Sequence, residues 1–163
     1  MAYHHRRRAW VRHPINRCPL LMARIQFDPR PSYPFSTEVQ VYISLINYGQ
    51  HLDNAQLLGL VSEARYRFFQ WLGYREFDIE GLAIVVGDMA AQYRSEAFHG
   101  ETLCVQMAAA DLNKYGFDIC WRITEKVSGR EVALGKVGVV LTNPATRKVA
   151  LLPEALKTRL LAR

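Results

Sequence analysis

The chain has 163 residues and a mass of 18.7 kDa, a length that suits one domain. Half of its residues are hydrophobic and 22% are charged, which excludes global disorder, and no apolar run approaches the ~20 residues of a membrane-spanning helix. The formal net charge of +6 sits at one end: residues 1–21 hold Arg6, Arg7, Arg8, Arg12 and Arg17 and no acid, while residues 22–163 set 16 basic against 15 acidic side chains. The excess charge is therefore no argument for a nucleic-acid-binding face on the rest of the chain.

The first stretch, MAYHHRRRAWVRHPINRCPLL, lacks the apolar core of a secretory signal, and Pro14 and Pro19 interrupt any amphipathic helix. We read residues 1–21 as a basic extension upstream of a start at Met22; the alternative is a basic arm for nucleic acid. Peptides from 1–21 in the native protein would refute the first reading. A cytoplasmic protein with no nucleic-acid or membrane partner is expected. The three cysteines, Cys18, Cys104 and Cys120, are odd in number and form no CxxC pair, so they read as thiols in a reducing compartment. His51 and His99 lie in no metal-binding spacing, and no metal is expected.

Residues 22–36 form an extended lead-in, with three prolines in DPRPSYPFS, and one domain follows over 37–163. Residues 37–43 alternate, with Val39, Val41 and Ile43 on one side, as a half-buried strand does. After INYGQHLDN a helix begins. Asp53 is its N-cap and Gln56 stands three places on, as in a capping box. Leu57, Val61, Ala64, Phe68 and Trp71 follow at 4-3-4-3 spacing, widened by Leu58, Leu60 and Leu72, and Gly73 ends the helix after about five turns.

The remainder reads as strands over 82–97, 102–112, 117–124 and 132–142, with a bulge at Gly87 and short antiparallel hairpins at 113–116 and 128–130. A last helix spans 153–161 with Pro153 at its first position. One long helix against a sheet of long antiparallel strands is the α+β hot-dog arrangement.

The stretch INYGQHLDNAQLLGLVSEARYRFFQWLGY resembles the start of acyl-CoA thioesterases of the 4-hydroxybenzoyl-CoA thioesterase family: an Asp-x-x-Gly-His-(Val/Leu)-Asn-Asn-Ala segment, then a helix with a Glu-Ala-Arg triplet. The matches are Gly49 or Gln50, His51, Leu52, Asp53, Asn54, Ala55 and Glu63-Ala64-Arg65. Downstream, QYRSEAFHGETLCVQ and LTNPATRKVALLPEALK resemble later segments of the family, so the likeness runs over about residues 36–160. It implies a thioester hydrolase, an acyl-CoA or acyl-carrier-protein thioester as partner, a homodimer or homotetramer, and no cofactor beyond the coenzyme A of the substrate.

One departure bears on the chemistry. Asn47 stands where the family commonly has an aspartate, and an amide is no base. Glu63, on the helix, is the leading replacement; the alternative for it is an ion pair with Arg67 at i+4. Asp53 is the second carboxylate considered, its other role being the N-cap. Asn47 and His51 are expected as positioning groups, or as residues that hold the loop. Asn54 and Ala55 would offer backbone N–H groups to the carbonyl oxygen at the helix start. Tyr93 and Arg94, together with Lys114 and Arg122, are candidates for the phosphates of coenzyme A, or else solvated surface groups. Phe68, Phe69, Trp71 and Tyr74 read as core or acyl-pocket wall. Two other classes remain open: a binder of acyl thioesters without turnover, which Asn47 favours, and a dehydratase using His51 with Glu63.

Overall fold

The structure is a computed structural model and describes residues 25–75 and 78–162; residues 1–21 and Met22 lie outside the described residues. In chain order it has strand β1 (Phe35–Gln40), a short 3-10 turn (Ile43–Leu45), helix α1 (Asn54–Trp71), strands β2 (Ala83–Tyr93), β3 (Thr102–Ala110), β4 (Gly116–Glu125) and β5 (Glu131–Thr142), and helix α2 (Glu154–Leu161). The strands form one antiparallel sheet in the order β1-β3-β4-β5-β2. This is the hot-dog arrangement, with α1 laid against one face. None of the described helices is long and apolar enough to cross a membrane.

The helix stripe does what its spacing dictates. Leu57, Val61, Ala64 and Phe68 are buried, and they share one core with Val105 and Met107 of β3, Ile119 and Trp121 of β4, and Val137 of β5. Alternation along β4 is clean: Phe117, Ile119, Trp121 and Ile123 are buried while Asp118, Cys120, Arg122 and Thr124 face the other side. Trp121 lies opposite Gly135, where a Cβ would stand 2.5 Å from the indole Cζ2 and run into the carbonyl of Ala90. Only glycine lets the ring lie that close to the sheet. The aromatic group near the end of α1 is core. Phe68 meets Phe35 edge-on at 5.6 Å, and Phe69 meets Phe117 at 6.3 Å.

Several expected boundaries move, each for a local reason. β1 begins two residues early, inside the expected lead-in, and ends at Gln40 because β3 starts opposite it at Thr102. Ile43 therefore has no ladder to join; it is 69% exposed in the 3-10 turn and not on the buried side of a strand. β2 stops at Tyr93, where the ladder breaks: the amides of Arg94 and Ser95 both donate to Val132 O near the start of β5. β3 stops at Ala110, because Asp111 turns to φ 48°. Pro153 is the N-cap of α2, at ψ 138°, and not its first helical residue. The bulge at Gly87 is present as a register shift between Val86 and Asp88. The lead-in crosses the face of the sheet away from α1, where the Phe27 amide donates to Gln92 Oε1 at 3.4 Å and Arg30 Nη1 reaches Cys120 Sγ at 3.9 Å.

Candidate functional site

The start of α1, the loop before it and the end of β2 meet at one end of the sheet. Two segments that share no strand are joined there: the Val41 amide donates to Glu101 O, the Gly100 amide to Val41 O, and the Leu52 amide to Ala97 O at 2.7 Å. Between them lies a cavity of about 300 Å³. Asn47, His51, Asn54, Tyr93, Arg94 and Glu96 supply its polar wall, and Leu57, Ala97 and Val132 its apolar floor.

Residues 47–51 form a tight turn. The Gln50 amide donates to Asn47 O and the Asn47 amide to His51 O, both at 3.0 Å. Gln50 takes a left-handed φ of 62°, which favours glycine. The Gly49 amide donates to the Asn47 side chain at 2.8 Å. An N–H needs an acceptor, so Oδ1 is turned onto the backbone, and Nδ2 is the group able to meet an outside oxygen. Gly49 also seats the His51 ring: a Cβ there would lie 2.7 Å from Nε2. His51 Nδ1 is 3.1 Å from Leu52 O, and Nε2 is 3.8 Å from Glu96 Oε1.

Asp53 is the N-cap of α1, its Oδ1 accepting from the amides of Ala55 at 2.8 Å and Gln56 at 3.2 Å. The reciprocal half of the capping box is missing, because the Asp53 amide donates to Leu45 O. The Leu57 amide bonds to Asp53 O. Of the expected amide pair, Ala55 is thus held by Asp53. The Asn54 amide is left, among the described residues, without an internal acceptor at the positive end of an 18-residue helix. Tyr93 crosses from β2 and donates its hydroxyl to Asn54 O at 3.1 Å. Burial, and then the nearby Asp53 carboxylate, push its phenol above the usual range, so it stays protonated.

The other expected groups are scattered. Arg94 lines the cavity with its Nε 3.5 Å from Glu131 Oε1, and Arg122 shares the same carboxylate at 3.0 Å. Lys114 lies at the opposite end of the sheet, above the Tyr115 ring. Glu63 lies in a separate groove beside β1, its Oε1 accepting from Arg67 Nε at 2.8 Å. Arg67 is held in turn by Thr37 Oγ1 and Glu38 O. Within one chain the structure therefore gathers Asn47, His51, Asn54, Tyr93 and Arg94, sets Asp53 and Ala55 beside them as the cap, and keeps Glu63 apart. Sequence reasoning missed Glu96. The segment QYRSEA carries no local signal for it, because bonds between segments distant in the chain bring it to His51.

A family model describing the thioesterase-like superfamily matches residues 41–160. No curated protein sequence matches the chain. Among solved structures, it is similar to Slr0204, a 1,4-dihydroxy-2-naphthoyl-CoA thioesterase from Synechocystis, at 20% identity and a TM-score of 0.71, over 78% of this chain and 95% of that one. The protein SAV2348 from Staphylococcus aureus, solved in complex with CoA, superposes at 19% identity and a TM-score of 0.72, over 78% and 82%. YbaW, a probable thioesterase from Escherichia coli, does so at 25% identity and a TM-score of 0.64, over 77% and 95%.

Proposed function

The chain belongs to the thioesterase-like superfamily, and from that premise we propose that it hydrolyses acyl thioesters of coenzyme A in the cavity at the start of α1. The observation that carries the reading is the Asn54 amide, without an acceptor among the described residues, at the positive end of α1 where Asn54 lines a cavity with an apolar floor. A thioester carbonyl placed there would accept from Asn54 N–H, and the charge that gathers on its oxygen during attack would meet the helix dipole. Asn47 Nδ2 is the second donor on the same wall. Leu57, Ala97 and Val132 suit an acyl chain, and Arg94, at the rim, suits a phosphate. Water attacks the carbonyl carbon, the tetrahedral intermediate collapses with cleavage of the C–S bond, and a carboxylic acid and a thiol leave. The CoA-bound relative supports coenzyme A as the carrier; an acyl-carrier-protein thioester would present the same group. No further cofactor is required.

A homo-oligomer belongs to the same proposal. Among the described residues the outer edge of β2 pairs with no strand, and β2 exposes Val85 and Val86, as an edge strand does when a second copy extends the sheet. A second functional reading, binding without turnover, is favoured by Asn47, whose amide cannot activate water. The two separate in one experiment. Purified full-length protein is assayed for thiol release from acyl-CoA esters of varied chain length and aromaticity, and its melting temperature is followed with the same esters. Turnover above blank supports hydrolysis. Thermal stabilisation without thiol release supports the binder, and neither effect would refute both.

A further inference from the structure

The hydrolytic reading lacks a base, because Asn47 is an amide, Asp53 Oδ1 is bonded to two amides and Glu63 lies in another groove. We infer that His51 and Glu96 together take that role, with His51 Nε2 accepting the proton of the attacking water and Glu96 stabilising the imidazolium that forms. This rests on the hydrolytic reading and deepens it.

The arrangement has four supports. Glu96 is the one carboxylate among the residues that line the cavity, and His51 is the one imidazole. The tautomer is fixed by the backbone: Leu52 O can only accept, so the Nδ1 beside it at 3.1 Å carries the hydrogen, and the neutral ring keeps its lone pair on Nε2. Nε2 and Glu96 Oε1 are 3.8 Å apart, too far for a direct hydrogen bond. That spacing suits one water about 2.8 Å from each, donating one hydrogen to Nε2 and one to the carboxylate. Finally, the Glu96 backbone is clamped. Arg130 donates to Glu96 O, to Ser95 Oγ at 3.0 Å and to Glu101 Oε1 at 2.7 Å, and Ser95 Oγ donates to Glu131 O at 2.7 Å. The loop that offers the carboxylate is thereby tied to β5.

In the reaction, the water O–H proton passes to Nε2 as the oxygen bonds to the thioester carbon. The carbonyl electron pair moves to the oxygen beside Asn54 N–H. When that pair returns, the C–S bond breaks, and the thiolate takes the proton back from Nε2, so that the ring ends neutral and a thiol leaves. The ionisable groups that share the cavity with the ring are Tyr93 from the end of β2 and Arg94 and Glu96 from the loop after it, with Arg130 behind Glu96 and the N-cap Asp53 two residues on in the chain.

The test uses full-length protein and an acyl-CoA ester that the wild type turns over. His51→Gln is expected to lower kcat by about 100-fold or more with KM little changed, and to remove the acid limb of the pH profile. Glu96→Gln is expected to lower kcat about tenfold at unchanged KM. His51→Ala should regain turnover with added imidazole, a readout that a merely folded loop would not give. Melting temperatures of the variants verify folding. Wild-type kcat in both Gln variants, or no rescue by imidazole, would overturn the inference while leaving hydrolysis intact. A wild type without turnover would overturn hydrolysis itself and this inference with it.

Discussion

Adding one methyl group beside His51 probes the site without touching any group that does chemistry. In Gly49→Ala the new Cβ would stand 2.7 Å from His51 Nε2, 2.9 Å from Cδ2 and 3.1 Å from Asn47 Oδ1. Non-bonded contact lies at about 3.5 Å, so the ring must retreat by roughly 0.8 Å. A shift of that size in a positioned catalytic group costs about 10- to 100-fold in rate. Stability should change little, because the turn is at the surface and the strained contact is with a half-exposed side chain that can move. Its bond to Leu52 O is worth only about 1 kcal/mol. Gly59→Ala is the comparator. Gly59 lies on the exposed side of α1 with nothing within 4 Å of the added Cβ. It should raise stability by about 0.5–1 kcal/mol and the melting temperature by about 1–4 °C. The assay is kcat/KM for an acyl-CoA ester and a thermal melt on the same preparations. Wild-type kcat/KM in Gly49→Ala would refute the placement of the His51 ring in the reaction path.

Further outcomes test other parts of the structure. Gln50→Gly should stabilise by about 0.5–1 kcal/mol in urea unfolding, because relief of the left-handed φ outweighs the added freedom of the unfolded chain. Glu125 is held at about 2, below its usual 4.5, by the Ser128 hydroxyl and then the amides of Val127 and Ser128. A depressed carboxylate contributes stability that is complete above its unfolded value and lost as pH falls toward 2. Urea midpoints between pH 6 and 3 should therefore fall less in Glu125→Gln than in wild type, from a lower starting point. Glu63→Gln breaks an exposed ion pair worth under about 1 kcal/mol. Its loss of kcat should be far smaller than that of Glu96→Gln; an equal loss would move the base to the helix.

What could be read from the sequence depended on how local its cause was. α1 was legible because Leu57, Val61, Ala64 and Phe68 recur at the helical period, and because Asp53 bonds to amides two and three residues away. β4 was legible from its alternation, and the bulge from Gly87 alone. The end of β1 was not, since Ile43 has the right spacing and only the start of β3 across the sheet denies it a partner. Nor does any spacing reveal that β2 lies at the edge beyond β5. The site divides in the same way. Residues 47–54 are contiguous, and their turn and cap follow from Asn47, Gly49 and Asp53. Glu96 looks like any surface acid until the Leu52–Ala97 and Arg130 bonds bring it to His51. Glu63 was favoured for its place on the helix, but its side chain lies on the β1 side, where Arg67 holds it.

The most direct measurement is a crystal structure of the full-length protein with a non-hydrolysable acyl-CoA thioether or ketone analogue. The carbonyl oxygen, or its equivalent, is expected within about 3.2 Å of Asn54 N, with a water bound to both His51 Nε2 and Glu96. An analogue seated with its reacting carbon against Glu63, and with no water between His51 and Glu96, would contradict that arrangement.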